Sequence, residues 1–151
     1  MAINAAFEFL ASHELISVST ASLDGVPHAA PAFFEVDGQT IVLTTSPSTT
    51  TGTNFTNNPR AAVAVGDAPD PGQTWDDAKG LQIVADVVQL SGDAATAAAD
   101  KLRAKYSHLG DTHLQSHFYA LKPTRVDYIH GAADGDEEFE PLGVNWTREQ
   151  F

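Results

Sequence analysis

The side chains best suited to chemistry fall in one run, residues 44–59, which reads T-T-S-P-S-T-T-T-G-T-N-F-T-N-N-P. Thr49, Thr50, Thr51 and Thr53 bring hydroxyls and Asn54 an amide, all able to donate hydrogen bonds to an anion. Strand-like stretches flank the run, I-V-L at 41–43 and A-A-V-A-V at 61–65. Ser46 is a favoured helix N-cap, and Pro47 suits the first helical position. The pattern predicts a helix opening at Ser46, whose free N–H groups and positive dipole end suit a phosphate. The plainer reading is a polar, capped connecting helix that binds nothing.

Other candidates are weaker. His113 and His117 would share a face if their segment were helical, and His108 lies nearby. No third ligand or glutamate completes a metal motif, so a surface histidine cluster is the preferred reading and no metal is expected. His28 reads as a partly exposed strand residue. Trp75 and Trp146 have indoles suited to stacking on a planar ring, or to core and subunit packing. There is no G-x-G-x-x-G, P-loop or nucleophile-elbow string, and no residue is assigned as catalytic.

The elements that must position these groups are mostly short strands. Residues 3–13 show apolar spacing of three and four, through Ile3, Ala6, Phe7 and Leu10, and predict a helix. Residues 15–20 predict a half-buried strand, 26–36 a second and 39–45 a third, joined by the turn pairs Asp24-Gly25 and Asp37-Gly38 into a meander. Pro27 and Pro31 make the second strand an edge or a bulged one. A fourth strand is expected at 60–65, an exposed loop at 66–77 and a long fifth strand at 79–90. Ser91 opens an alanine-rich helix to about Tyr106. Residues 118–121 and 125–129 read as sixth and seventh strands separated by Pro123. The tail from Gly131 reads as an acidic loop, with 142–146 able to dock on the body. Residues 1–151 form one domain, mainly β with peripheral helices, and the strand count points to a small β-barrel. Leu43, Val63, Val65, Ile83 and Val87 are the expected core.

Twenty acidic residues face eight basic ones, a formal charge of −12. That surface repels phosphate backbones and anionic membranes, so neither nucleic acid nor membrane is an expected partner. A solvated acidic surface and adaptation to high salt both explain the charge. The absence of cysteine removes disulfides, thiolate metal sites and thiol nucleophiles. No apolar run approaches the ~20 residues of a membrane helix, and no basic segment precedes an apolar one at the N-terminus. A soluble cytoplasmic protein is expected.

Several strings, in order, resemble the pyridoxamine-phosphate-oxidase-like family with its FMN-binding split barrel. They are L-D-G-V-P-H-A-A-P-A-F-F-E-V-D-G at 23–38, T-T-S-P-S at 44–48, G-T-N-F at 52–55 with N-P-R at 58–60, G-L-Q-I at 80–83 and L-K-P-T-R-V at 121–126. The resemblance implies a split β-barrel of the FMN-binding type, a homodimer with FMN at the subunit contact, and an oxidoreductase acting on a small substrate. It implies cofactor contacts from Thr44, Thr45, Ser46, Thr49, Thr50, Thr51, Asn54 and, on the fifth strand, Gln82. Thr50 and Thr51 stand where the family commonly carries an Arg/Lys pair that grips the phosphate, so weak FMN affinity is expected. The alternatives are a non-catalytic barrel that has lost the flavin and a haem- or deazaflavin-binding relative.

Overall fold

The computed structural model describes residues 2–130 and 146–151. Helix α1 (Ala2–Ala11) leads into strands β1 (Ile16–Ala21), β2 (Pro27–Ala32), β3 (Phe34–Asp37) and β4 (Thr40–Thr45). Then come α2 (Thr50–Asn57), β5 (Arg60–Asp67), β6 (Lys79–Leu90), α3 (Gly92–Lys105), β7 (His117–His130) and β8 (Trp146–Gln150). The two Asp-Gly pairs turn the chain as expected, with Gly25 at φ 86° and Gly38 at φ 63°, a backbone region where a Cβ is strained. They close the β1–β2 and β3–β4 hairpins.

The expected second strand, 26–36, is two strands. β2 pairs with β1, β3 pairs with β4, and Phe33 lies between them. The sheet runs β2-β1-β5-β6-β7-β4-β3, with β8 added on β7. Its two ends are therefore consecutive segments of chain separated by one residue, so the sheet must curl until its ends meet at Phe33. That closure makes a split β-barrel and replaces the simple meander. β2 is an edge of the sheet, where Pro27 and Pro31 remove no needed ladder bond.

The sixth and seventh strands are one strand, β7. Pro123 is tolerated because β4 pairs with 117–121 and β8 with 125–129, leaving position 123 in the gap between them. On the other side the register with β6 slips between Val84 and Ala85, where Arg125 and Pro123 are the partners. Thr124 is the extra residue of this bulge, and its hydroxyl donates to the Val84 carbonyl at 3.2 Å.

Alternation along β1, β4, β5 and β6 sends Val18, Leu43, Val63, Leu81 and Ile83 into the barrel, each at 2% exposure or less. Val87 is buried beside them and Val65 packs partly buried against the cluster. The α1 stripe Ile3, Ala6, Phe7 and Leu10 closes one end, each large side chain contributing roughly 1.5–3 kcal/mol by burial. Trp75 is exposed on a short 3-10 turn and belongs to no core. The tail loop expected from Gly131, and the docking segment up to residue 145, lie outside the described residues. No helix among the described residues is long and apolar enough to cross a membrane.

Candidate functional site

A cleft of about 450 Å³ opens where the sheet's two ends approach each other. Val18, Ala30, Ala32 and Leu43 give it an apolar floor, and Phe33 an aromatic wall. Thr44 and Thr45 from β4, Thr49, Thr50 and Thr51 from the start of α2, and Thr112, His113 and Gln115 from the segment before β7 supply the polar side. His28 enters from β2. No Lys, Arg, Asp or Glu is among the described residues of this lining. A mostly apolar cleft of this size with convergent polar groups fits a small planar ligand.

The start of α2 differs from the expectation. Ser46 is not the N-cap, and Pro47 is not helical. Thr49 caps, in extended conformation, and its hydroxyl accepts from the Gly52 N–H at 3.0 Å. Ser46 starts a turn instead: its carbonyl accepts from the Thr49 N–H at 3.1 Å and from the Thr49 hydroxyl at 2.8 Å. The Ser46 hydroxyl pairs with that of Ser48 at 2.8 Å. Three hydroxyls compete for the cap, and the one that can fold back onto N3 wins. The helix then packs onto the turn so tightly that a Cβ on Gly52 would sit 2.1 Å from the Ser46 carbonyl oxygen.

Of the expected contacts, the structure gathers Thr44, Thr45, Thr49, Thr50 and Thr51 in the cleft. Their roles divide. The Thr44 hydroxyl donates to the His117 carbonyl at 2.9 Å and accepts from the Gln115 N–H at 3.0 Å, tying β4 to the segment before β7. Thr45 and Thr49 share a hydroxyl contact of 3.0 Å. The hydroxyls of Thr50 and Thr51 make no hydrogen bond among the described residues, and their N–H groups, in the first turn of α2, have no intrahelical acceptor. These four donors at the start of α2 are open to a ligand.

Ser46, Asn54 and Gln82 are not brought into the cleft. Asn54 is buried and its amide donates to the Thr20 hydroxyl at 2.9 Å, locking α2 onto β1. Gln82 is exposed on the outer face of β6, the face opposite the barrel core, so it does not reach the cleft of its own chain.

His113 is the residue that sequence spacing misplaced. Residues 113–116 are irregular and His117 begins β7, so His113 and His117 share no helix face. His108 lies in a 3-10 turn at Ser107–Leu109. Among the described residues no group of three potential ligands could hold a metal ion. Instead His113 is 6% exposed, with its ring 5.7 Å from that of Phe33 and 5.2 Å from that of Tyr106. Neither ring nitrogen has a hydrogen-bond partner among the described residues. A buried polar group left unpaired costs roughly 1–3 kcal/mol. No periodicity in the sequence signals a buried imidazole in an irregular segment.

Tyr106, at the end of α3, anchors this corner. Its hydroxyl accepts from the Phe34 N–H at 3.0 Å and contacts the carbonyls of Glu14 and Phe34 at 2.7 and 2.8 Å. Burial pushes the phenol up to about 12, and the nearby Glu35 and Glu14 carboxylates push the same way. The Lys105 ammonium sits 3.7 Å above the Phe34 ring, and burial lowers its pKa.

Residues 3–130 match the pyridoxamine 5'-phosphate oxidase family, and the chain belongs to it. Comparison with curated proteins gives no match. Among solved structures, a heme binding protein from Mycobacterium smegmatis aligns with 99% of this chain at TM-score 0.79 and 19% identity, the chain spanning 58% of that protein. An FAD binding protein from Mycobacterium smegmatis aligns over 98% of this chain and 95% of its own, at TM-score 0.62 and 19% identity. The heme storage protein HutZ from Vibrio cholerae aligns over 81% and 87%, at TM-score 0.65 and 14% identity. At these identities the likeness is one of fold.

Proposed function

We propose that the chain is an FMN-binding oxidoreductase that works as a homodimer on a small substrate. The observation that carries this reading is the cleft itself. Its Thr50 and Thr51 donors stand at a helix start, where a phosphate is favoured, beside an apolar floor and the Phe33 ring, where a planar ring fits. The residues present thus match both ends of a flavin nucleotide. When bound, the isoalloxazine supplies the electron chemistry. The protein's residues would then bind and orient it: the α2 start would hold the phosphate, Phe33, Val18 and Leu43 would exclude water from the ring, and Thr44 braces β4 against the segment before β7.

The dimer is supported by the outer face of the sheet. Across β2, β1, β5 and β6 one row reads Ala29, Ser19, Ala62, Val84 and the next Pro31, Ser17, Ala64, Gln82. A protein of charge −12 keeps this strip free of carboxylates, as the centre of an interface requires.

The absorption spectrum of the purified protein tests the cofactor. Flavin bands in the blue and near-ultraviolet are the expected result. A Soret band instead identifies a haem-binding barrel, a reading favoured by the two cleft histidines, His28 and His113. A spectrum with neither, unchanged after incubation with FMN, refutes the flavin reading and leaves a non-catalytic barrel.

A further inference from the structure

This inference deepens the flavin reading and rests on it for the identity of the anion. We propose that His113 is the phosphate-recognising side chain of the cleft, and that a phosphate monoester binds there with uptake of one proton by its imidazole.

Three observations carry it. First, the start of α2 presents unpaired N–H groups and hydroxyls at Thr50 and Thr51, but no cation. A dianion held by neutral donors alone forgoes the stronger, charge-assisted hydrogen bonds. Second, His113 is more than nine-tenths buried, lines the same cleft and has no partner at either ring nitrogen among the described residues. A group desolvated without compensation is stabilised by whatever ligand supplies the missing bond. Third, the segment that carries His113 is tied to the strand that leads into α2. Gln115, two residues on, donates its N–H to the Thr44 hydroxyl, and β4 runs from Thr44 directly into the turn that Thr49 closes.

Among the described lining residues only His28 and His113 can become positive. His113 is the buried one, where a charge pair is screened least. The rings of Phe33 and Tyr106 beside it present π-systems able to accommodate an imidazolium. The ionisable groups on the elements around it are Tyr106 and Lys105 on α3, Glu35 on β3, Glu14 before β1, His28 on β2, and Asp111 and His117 in sequence. Asp111 is paired with Arg103 at 2.9 Å. None of the carboxylates lines the cleft to compete for the imidazole.

An imidazole changes charge between roughly pH 5 and 8, and a phosphate monoester completes its second ionisation near pH 6. A bound dianion favours the charged imidazole, and by linkage the proton favours the bound dianion. FMN affinity should then fall by up to about tenfold per pH unit on the alkaline side of neutrality. Riboflavin, which has no phosphate, should show no such slope.

The test is calorimetric titration of FMN at pH 7.5 in two buffers of different ionisation enthalpy. The wild type should take up close to one proton, His113→Gln should bind at least tenfold more weakly with no uptake, and His28→Gln should retain the uptake. In parallel, the His113 imidazole resonances of the wild type are followed during titration with inorganic phosphate, which needs no variant to fold. They should shift, and their midpoint should move to higher pH. FMN binding without proton uptake, or a His113→Gln variant that keeps the pH slope, overturns this assignment and leaves the flavin reading standing. If FMN fails to bind at any pH, the flavin reading falls, and inorganic phosphate decides the assignment: a shifted His113 supports it, an unmoved one overturns it.

Discussion

Gly52→Ala tests how the anion corner is built. In most helical positions alanine is better than glycine by roughly 0.5–1 kcal/mol. Here the new Cβ would lie 2.1 Å from the Ser46 carbonyl oxygen, 2.8 Å from Pro47 Cα and 2.9 Å from the Ser46 carbonyl carbon. All three are backbone atoms and cannot rotate away. The 46–47 backbone must retreat by about 0.9 Å merely to bring the shortest contact to 3.0 Å, and overpacking of this kind costs roughly 1–3 kcal/mol. We expect a net loss of about 1–2 kcal/mol once the helix gain is set against it, or roughly 2–8 °C in Tm for a domain of this size. The retreat also pulls Ser46 from the Thr49 hydroxyl, so the effect should overlap with that of Thr49→Ala, itself worth about 1 kcal/mol as a lost cap. Urea midpoints of wild type, both single variants and the double variant measure this as a cycle. Strict additivity, or a Gly52→Ala protein at least as stable as wild type, would show that α2 does not close on the turn as described.

Three further outcomes follow from the same geometry. Thr50→Arg should tighten FMN roughly 10- to 100-fold, the worth of a charge-assisted hydrogen bond of about 1.5–3 kcal/mol, while riboflavin gains little; equal gains for both would place the phosphate elsewhere. Position 50 is the one to change, because Thr50 is exposed whereas Thr51 is only 8% exposed, with little room for a longer side chain. Tyr106→Phe leaves the buried Phe34 N–H unpaired and should cost about 1–3 kcal/mol at neutral pH. The phenol of Tyr106 titrates near 12 in the folded chain against 10.0 ordinarily, so the unfolded chain loses its proton first. The stability this supplies is complete below pH 10 and is lost between 10 and 12; the phenylalanine variant should show less alkaline loss, read from urea midpoints at pH 7 and 11. Ala62→Glu places a carboxylate in the middle of the outer sheet face and should shift sedimentation towards the monomer, whereas an unchanged profile would move the dimer contact to another surface.

Much of this architecture was legible because it is set locally. The Asp-Gly turns require glycine's positive φ, β6 matches the expected 79–90, and alternation alone picks out Leu43, Val63, Ile83 and Val87 as core. The threonine cluster was likewise visible as the polar link between two buried strands. What the sequence could not decide depends on partners distant in the chain. Pro123 looks like a strand breaker until β4 and β8 are seen to leave it a gap. The 26–36 stretch looks like one strand until the sheet curls and its ends share Phe33. Ser46 and Thr49 are chemically equivalent caps, and only the contact of Gly52 with the turn backbone selects between them. His113 carries no pattern, because its place beside Phe33 and Tyr106 is made by elements that meet only when the barrel closes.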